Sequence, residues 1–191
     1  MNRMFRPHPV CILHRCGGLT LMELLVVLAI LAIVLGLVAP SMQSLLQGAR
    51  MRSEAARLLD AVQLARSEAA ARHRPVSLCP AVDAEGAVPS CGGTYAGGWL
   101  VFDGPPPADG TVAAASLLRS YPAVAAGYRI ATSDGRGADV AFSYYPDGAT
   151  RRNLTLSVCS IAQPQSPGWS LVINRVGRAR VAQGWGRCDA T

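Results

Sequence analysis

The sequence predicts an α+β fold in which one long N-terminal α-helix, part transmembrane and part amphipathic, packs on a mostly antiparallel β-sheet head. Three observations support this fold. Residues 19–39 form a largely apolar run. Residues 45–69 keep apolar side chains at three- and four-residue spacing, the period of an amphipathic helix. After Pro75 the chain becomes a series of short β-favouring segments separated by turns.

Residues 19–39 are long enough to cross a membrane. At about 1.5 Å rise per residue, a helix of this length spans a bilayer core of about 30 Å, and no polar side chain occurs between Leu24 and Ala39. The preceding residues 1–18 contain three arginines and no acid, which is typical of a cytoplasmic flank. We therefore expect residues 19–39 to be a single membrane-spanning helix.

Glu23 stands near the start of this run. A carboxylate within a membrane is costly and by default has a partner. If the chain is cut after Gly18, the new α-amine on Leu19 lies close to Glu23 in sequence, and Glu23 of one subunit could pair with the amine of the next. A glutamate that reaches the headgroups at the membrane interface fits the residues equally well.

The helical pattern resumes after Pro40 and ends at Pro75. Residues 40–74 are therefore the predicted amphipathic half of the helix, and residues 75–191 the predicted globular head. We expect six to eight strands in this head. The candidate segments in chain order are PVSLCP, GWLVFD, SLLRSY, YRIAT, DVAFSYY, LTLSVCS, WSLVINR and RARVA.

Four of the six cysteines follow the apolar run, and an even number of cysteines in an exported segment suggests two disulfides. A zinc site is the alternative, but the four form no C-x-x-C pair and the only nearby histidine is His73, so no metal is predicted. Four cysteines allow three pairings. We favour Cys79–Cys91, which closes a short loop, and Cys159–Cys188, which ties the C-terminal strands together.

The segment NRVGRARV, residues 174–181, is the sharpest candidate for binding an anion. If the chain turns at Gly177, Arg178 and Arg180 lie two apart on a strand and face the same way. Paired guanidiniums on one face suit phosphate contacts, which need no base sequence. Arg175 and Arg187 could extend the patch. A solvated strand face is the alternative, because every one of the 18 basic residues in this chain is arginine.

The remaining residues give little support for catalysis. The sequence has no G-x-S-x-G, P-loop or H-E-x-x-H motif, and it indicates no cofactor. Trp99 and Trp169 stand in apolar strand patterns, which favours a place in the core. Trp185 is flanked by glycines, is less obviously a core residue, and could stack on a base.

The segment GLTLMEL and the apolar run after it resemble the class III signal of type IV prepilins and pseudopilins. Gly18, Leu19, Glu23 and Pro40 match that family's cleavage-site glycine, first mature residue, docking glutamate and helix-kinking proline, although phenylalanine is the usual first residue. The resemblance implies that prepilin peptidase cuts after Gly18 and methylates the new N-terminus. It also implies that Glu23 helps to dock subunits in a filament.

The segments LARSEAAARHRPVSLCP, GGWLVFD, FSYYPDGA and GRARV resemble the FimT/GspH family of minor pilins and pseudopilins. For FimT-like members, a glycine-arginine-any-arginine element is associated with DNA binding during natural transformation, and Gly177, Arg178 and Arg180 match it. The implied protein is a single-pass inner-membrane pilin with a periplasmic head, which is extracellular once assembled with other pilins. The alternative is a GspH-like pseudopilin of type II secretion with a structural role only.

Cleavage between Gly18 and Leu19 is the first testable expectation, because the glycine pair precedes the apolar run and the run is therefore kept. Mass spectrometry of the membrane-extracted protein should show a chain that begins at a methylated Leu19. Gly18→Ala should block this cut, whereas Glu23→Ala should permit it and impair assembly into filaments. An intact leader, or a cut beyond Ala39, would remove the prepilin interpretation.

Overall fold

The computed structural model describes residues 20–133 and 138–188, with the backbone alone described for residues 38–41. Its first element is helix α1, Leu21–Arg72. The Thr20 side-chain Oγ1 accepts a hydrogen bond of 3.2 Å from the backbone N–H of Glu23, which caps the start of the helix. The helix ends where His73 adopts a left-handed φ of 53°, just before Pro75. The predicted helix is confirmed.

The described residues divide into two units, and the boundary between them lies between Met42 and Gln43. In the described part of the first unit, every large hydrophobic side chain from Leu21 to Leu37 is exposed. By length and composition α1 is able to cross a membrane, with a mean hydropathy of 3.0 in its most apolar window. A helix that is apolar on all sides needs lipid or other apolar helices around it.

The second unit begins with the amphipathic part of α1. Its buried stripe starts at Met51 and consists largely of small residues, which allow close approach to the strands; the buried positions are Met51, Ala55, Leu58, Ala61, Val62, Ala65 and Ala69. Leu45 and Ala49, which follow the same period in the sequence, are exposed. The periodicity therefore extends further toward the N-terminus than the packing does.

In the part of the head that the structure describes, eight strands follow: β1 Val76–Pro80, β2 Trp99–Asp103, β3 Leu117–Tyr121, β4 Tyr128–Thr132, β5 Phe142–Tyr144, β6 Leu154–Ser160, β7 Trp169–Ile173 and β8 Ala179–Gln183. Each matches a predicted segment, and β8 extends one residue past its segment. They form two four-stranded antiparallel sheets, with orders β3-β2-β1-β5 and β4-β6-β7-β8. The antiparallel head is confirmed. Its division into two sheets was not predicted, because local periodicity does not specify which strands pair.

One hydrophobic core joins the amphipathic part of α1 to both sheets. Trp99 is fully buried there and stacks on Tyr121, with ring centroids 5.4 Å apart. Trp169 is partly buried and packs against the same core. Both tryptophans therefore have the packing role expected for them.

The structure contains the two disulfides that the sequence favours. Cys79–Cys91 joins the end of β1 to the loop before β2, with Cα atoms 5.6 Å apart. Cys159–Cys188 joins β6 to the segment after β8, with Cα atoms 5.5 Å apart. The second disulfide therefore fixes the chain beyond the last strand to the centre of its sheet. Among the described residues, no three histidine, cysteine or carboxylate side chains are grouped as metal ligands would be.

Thiol labelling tests these two links. The native processed chain, which retains only these four cysteines, should contain no reactive thiol before reduction. Replacing Cys159 and Cys188 together with serine should lower the free energy of unfolding by roughly 3–4 kcal/mol on the chain-entropy model for loops of this length. Denaturant titration measures that loss. Four thiols that react in the native protein would contradict the pairing.

Candidate nucleic-acid interface

The candidate interface is built on the turn between β7 and β8. The Gly177 N–H donates to the Asn174 carbonyl oxygen at 2.9 Å, and the Asn174 N–H donates to the Arg178 carbonyl oxygen at 3.1 Å. The Asn174 side-chain Oδ1 accepts a further bond of 2.8 Å from the Arg178 N–H. Gly177 has a φ of 79°, which glycine adopts without steric cost. The predicted turn is therefore closed mainly by Asn174.

Gly177 also packs against the turn that follows β5. A Cβ atom on Gly177 would collide with the Gly148 carbonyl oxygen and would lie 3.0 Å from Tyr144 Cε1. The Tyr144 O–H donates to the Gly177 carbonyl oxygen at 3.2 Å. Burial raises the pKa of Tyr144 to about 12, against an opposing effect of Arg66, so this phenol remains a donor at neutral pH. The two turns are thus held in direct backbone contact.

Three arginines line one cleft beside this contact. Arg178 and Arg180 are exposed, whereas Ala179 and Val181 pack against the core, which is the alternation predicted for a strand. The third arginine is Arg66 on α1, whose Nε would lie 3.1 Å from a Cβ on Gly148. The cleft has a volume of about 450 Å³, and its lining consists of Arg66, Val172, Asn174, Arg178, Ala179 and Arg180. We call it the arginine cleft.

The charges in the arginine cleft lack carboxylate partners. Within residues 20–133 and 138–188, no carboxylate oxygen lies within 4.0 Å of the guanidinium nitrogens of Arg66, Arg178 or Arg180. Other arginines of the same head do have such partners: Arg57 lies 2.5 Å from Glu54, and Arg119 lies 3.5 Å from Asp60. The cleft therefore concentrates positive charge that an anion could neutralise.

Arg175 and Arg187 do not line this cleft. Arg175 is exposed in the β7–β8 turn, where its carbonyl oxygen accepts hydrogen bonds from the N–H groups of Thr150 and Arg151 at 3.2 and 3.1 Å. Arg187 lines a separate groove of about 260 Å³ together with Gly184 and Gly186. The structure thus separates two of the five residues in the predicted patch from the arginine pair, and it adds Arg66.

Trp185 adjoins the arginine cleft. Its side chain is 50% exposed, and the Arg180 guanidinium carbon lies 4.6 Å from the centroid of the indole ring, a cation–π contact. The flanking glycines Gly184 and Gly186 indicated a place outside the core. No pattern in the sequence indicated the contact with Arg180, because the two residues belong to different segments of the backbone.

The sequence-predicted residues of the processing and assembly site are only partly described. Glu23 lies in the first turn of α1, where its backbone N–H contributes to the cap on Thr20. Pro40 lies within α1, which continues through it without a break, and its side chain is not among those described. Gly18 and Leu19 lie outside the described residues. Cleavage and the docking of Glu23 remain predictions.

Comparison with known proteins identifies the family of the chain. The family model described as type II transport protein GspH matches residues 54–177, well over half of the chain. The chain belongs to the GspH family. A second model, the prokaryotic N-terminal methylation motif, matches residues 13–39, the range that holds Gly18 and Glu23. This confirms the resemblance to minor pilins and pseudopilins. The GspH match ends at Gly177, so that Arg178 and Arg180 fall just beyond it.

Two solved structures share the fold of this GspH-family chain. The type IV minor pilin FimU of Pseudomonas aeruginosa PAO1 is 22% identical, with a TM-score of 0.54 over 71% of this chain and 90% of that one. The minor pseudopilin EpsH of the Vibrio cholerae type 2 secretion system is 13% identical, with a TM-score of 0.50 over 70% and 97%. No protein of curated function matches the sequence. The α+β pilin-like fold is confirmed.

Substituting two glycines that have similar backbone angles tests the packing of the β7–β8 turn. Gly177→Ala and Gly184→Ala both place a side chain at positive φ, 79° and 73°, at a cost of about 1–2 kcal/mol. Only at Gly177 does the new Cβ meet the backbone of Gly148, whereas nothing lies within 4 Å of it at Gly184. Gly177→Ala should therefore lower the free energy of unfolding by roughly 1–3 kcal/mol more than Gly184→Ala, as measured by denaturant titration. Equal losses would contradict the close contact.

Proposed function

We propose that this GspH-family chain is a minor type IV pilin that binds DNA non-specifically, through phosphate, for uptake in natural transformation. The observation that carries the proposal is the arginine cleft, which is lined by Arg66 of α1, Arg178 of the β7–β8 turn and Arg180 of β8. None of the three has a carboxylate within 4.0 Å among the described residues. A phosphate backbone supplies the missing negative charge.

The geometry favours phosphate contacts over the reading of bases. Arginine presents a planar fork of donors that matches two phosphate oxygens at once. Sequence reading in duplex DNA needs a helix or a ribbon inserted in the major groove. The part of α1 that belongs to the head is buried along one side against the strands, and Arg66 is its only contribution to the cleft. Binding is therefore expected to be similar across DNA sequences.

The same proposal includes assembly into a filament. Prepilin peptidase cuts after Gly18, and the apolar part of α1 holds the subunit in the inner membrane as a single-pass protein with a periplasmic head. In the pilus, the carboxylate of Glu23 pairs with the Leu19 amine of a neighbouring pilin. The extent of exposed apolar surface from Leu21 to Leu37 supports burial against lipid before assembly and against other pilins afterwards.

A minor pseudopilin of type II secretion is the second candidate. It is favoured by the description of the matching family as a type II transport protein and by the fold shared with EpsH. Such a protein has a structural role in its filament and needs no affinity for DNA. Measured DNA binding therefore separates the two candidates.

A salt titration tests the cleft. The processed full-length chain in a non-ionic detergent is mixed with a fluorescent duplex, and the affinity is followed by anisotropy as the salt concentration rises. The logarithm of affinity should fall linearly with log salt, by about 0.9 for each phosphate neutralised. Arg178→Gln with Arg180→Gln should weaken binding to every duplex and reduce the slope by about 2. Arg66→Gln alone should reduce it by about 1.

Arg119→Gln is the matched control. Arg119 is also an exposed arginine on a strand, but its guanidinium lies 3.5 Å from Asp60 and 5.0 Å from the ring centroid of Tyr121, away from the arginine cleft. Its replacement should leave the slope nearly unchanged. If Arg119→Gln reduced the slope as much as the substitutions in the arginine cleft, diffuse surface charge rather than the cleft would account for DNA binding. No binding by wild type at about 50 mM salt, where screening is weak, would favour the pseudopilin.

A further inference from the structure

Trp185 is an exposed indole in a head whose other tryptophans are packed. Trp99 is fully buried and Trp169 packs against the core, whereas Trp185 remains 50% exposed. A single exposed apolar residue needs no special account. Trp185 differs from an ordinary surface residue in two respects, the rigidity of its backbone and its contact with the arginine cleft.

The backbone at Trp185 is held against the sheet by hydrogen bonds. Its carbonyl oxygen accepts hydrogen bonds from the hydroxyls of Ser157, at 3.0 Å, and Ser170, two residues that are completely buried. Gly186, with a φ of 89°, lies so close to Ser157 that a Cβ would collide with its Oγ. The Cys159–Cys188 disulfide comes two residues later. Binding to an aromatic group that is already held in place costs less conformational entropy than binding to a mobile one.

Arg180 links this indole to the arginine cleft. Its guanidinium lines the cleft and also lies 4.6 Å from the centre of the Trp185 ring. On its other side, Trp185 is flanked by Gly184 and Gly186, which line the groove of about 260 Å³. One arginine therefore lines the cleft and contacts the indole, so a phosphate bound by Arg180 would bring its nucleotide close to Trp185.

We infer that Trp185 is a stacking platform for an unpaired base, so that the head binds single-stranded DNA more tightly than duplex. This rests on the proposed function, because the arginine cleft must hold the adjoining phosphate. In a duplex, both faces of each base are covered by its neighbours, and an indole gains nothing from them. A base in a single strand is free to stack, and cationic grooves combined with aromatic platforms are the usual means of binding single strands.

Abasic DNA isolates the stacking from the phosphate contacts. The processed full-length chain in non-ionic detergent is titrated with a thymidine oligonucleotide, with an abasic oligonucleotide of the same length, and with a duplex. The two single strands carry the same phosphates and differ only in their bases. Wild type should bind the thymidine strand about 5- to 150-fold more tightly than the abasic strand, the range expected for stacking one base on an aromatic side chain. It should also prefer the thymidine strand to the duplex.

Two variants test whether the preference for the thymidine strand over the abasic strand depends on the Trp185 indole. Trp185→Ala should reduce the ratio of thymidine to abasic affinity to near one. Trp185→Ala also removes the contact with Arg180. This second effect weakens the binding of both single strands equally, so it does not change the ratio of their affinities. Trp169→Phe is the matched control, because Trp169 also lies under an arginine, Arg52, at 5.3 Å, but packs against the core. That variant should keep the wild-type ratio.

The outcomes separate this inference from the proposed function. Equal binding of the thymidine and abasic strands by wild type would overturn the stacking platform and leave DNA binding by the cleft intact. A ratio that persists in Trp185→Ala would also overturn it, by showing that another group contacts the bases. Failure of wild type to bind any of the three nucleic acids would overturn the proposed function together with the inference.

Discussion

The contact between two glycines determines where the side chains of the candidate site lie. Gly177 and Gly148 approach so closely that neither turn could move without displacing the other, and Tyr144 donates a hydrogen bond across the same junction. Gly148 is in turn covered by Arg66. The β7–β8 turn is therefore fixed against the helix as well as against its own sheet. Arg66 of α1 consequently shares a cleft with one arginine of this turn and one of β8.

The charge pattern of the head gathers three arginines in the cleft. All 18 basic residues are arginine, so arginine by itself carries no information about function. Arg57, Arg72 and Arg119 each have a carboxylate within 4.0 Å, whereas the three arginines of the cleft, like Arg151 and Arg175, have none among the described residues. What distinguishes the three is that they line one cavity. Gathering like charges without partners opposes folding slightly, and a bound anion removes that cost.

Local patterns predicted the parts of this molecule well and their arrangement poorly. Period and turn chemistry located the eight strands, the end of α1 before Pro75 and the alternation around Arg178 and Arg180, because each depends on residues close together in sequence. The division into two sheets and the arrival of Arg66 at the cleft depend on which strands pair and on how α1 packs across them. Neither leaves a local pattern, and no pattern in the sequence indicated the contact of Trp185 with Arg180.

The family match and the candidate site overlap only in part. The GspH model ends at Gly177, and the fold shared with FimU and EpsH covers about 70% of the chain in each case. Shared architecture accounts for a helix on two sheets, but one fold can hold several functions. Arg178, Arg180 and Trp185 all come after the matched range: in the β7–β8 turn, on the last strand, and in the segment that Cys159–Cys188 secures. The family match therefore carries no information about these three side chains, although it includes Arg66 and the contact of Gly177 with Gly148.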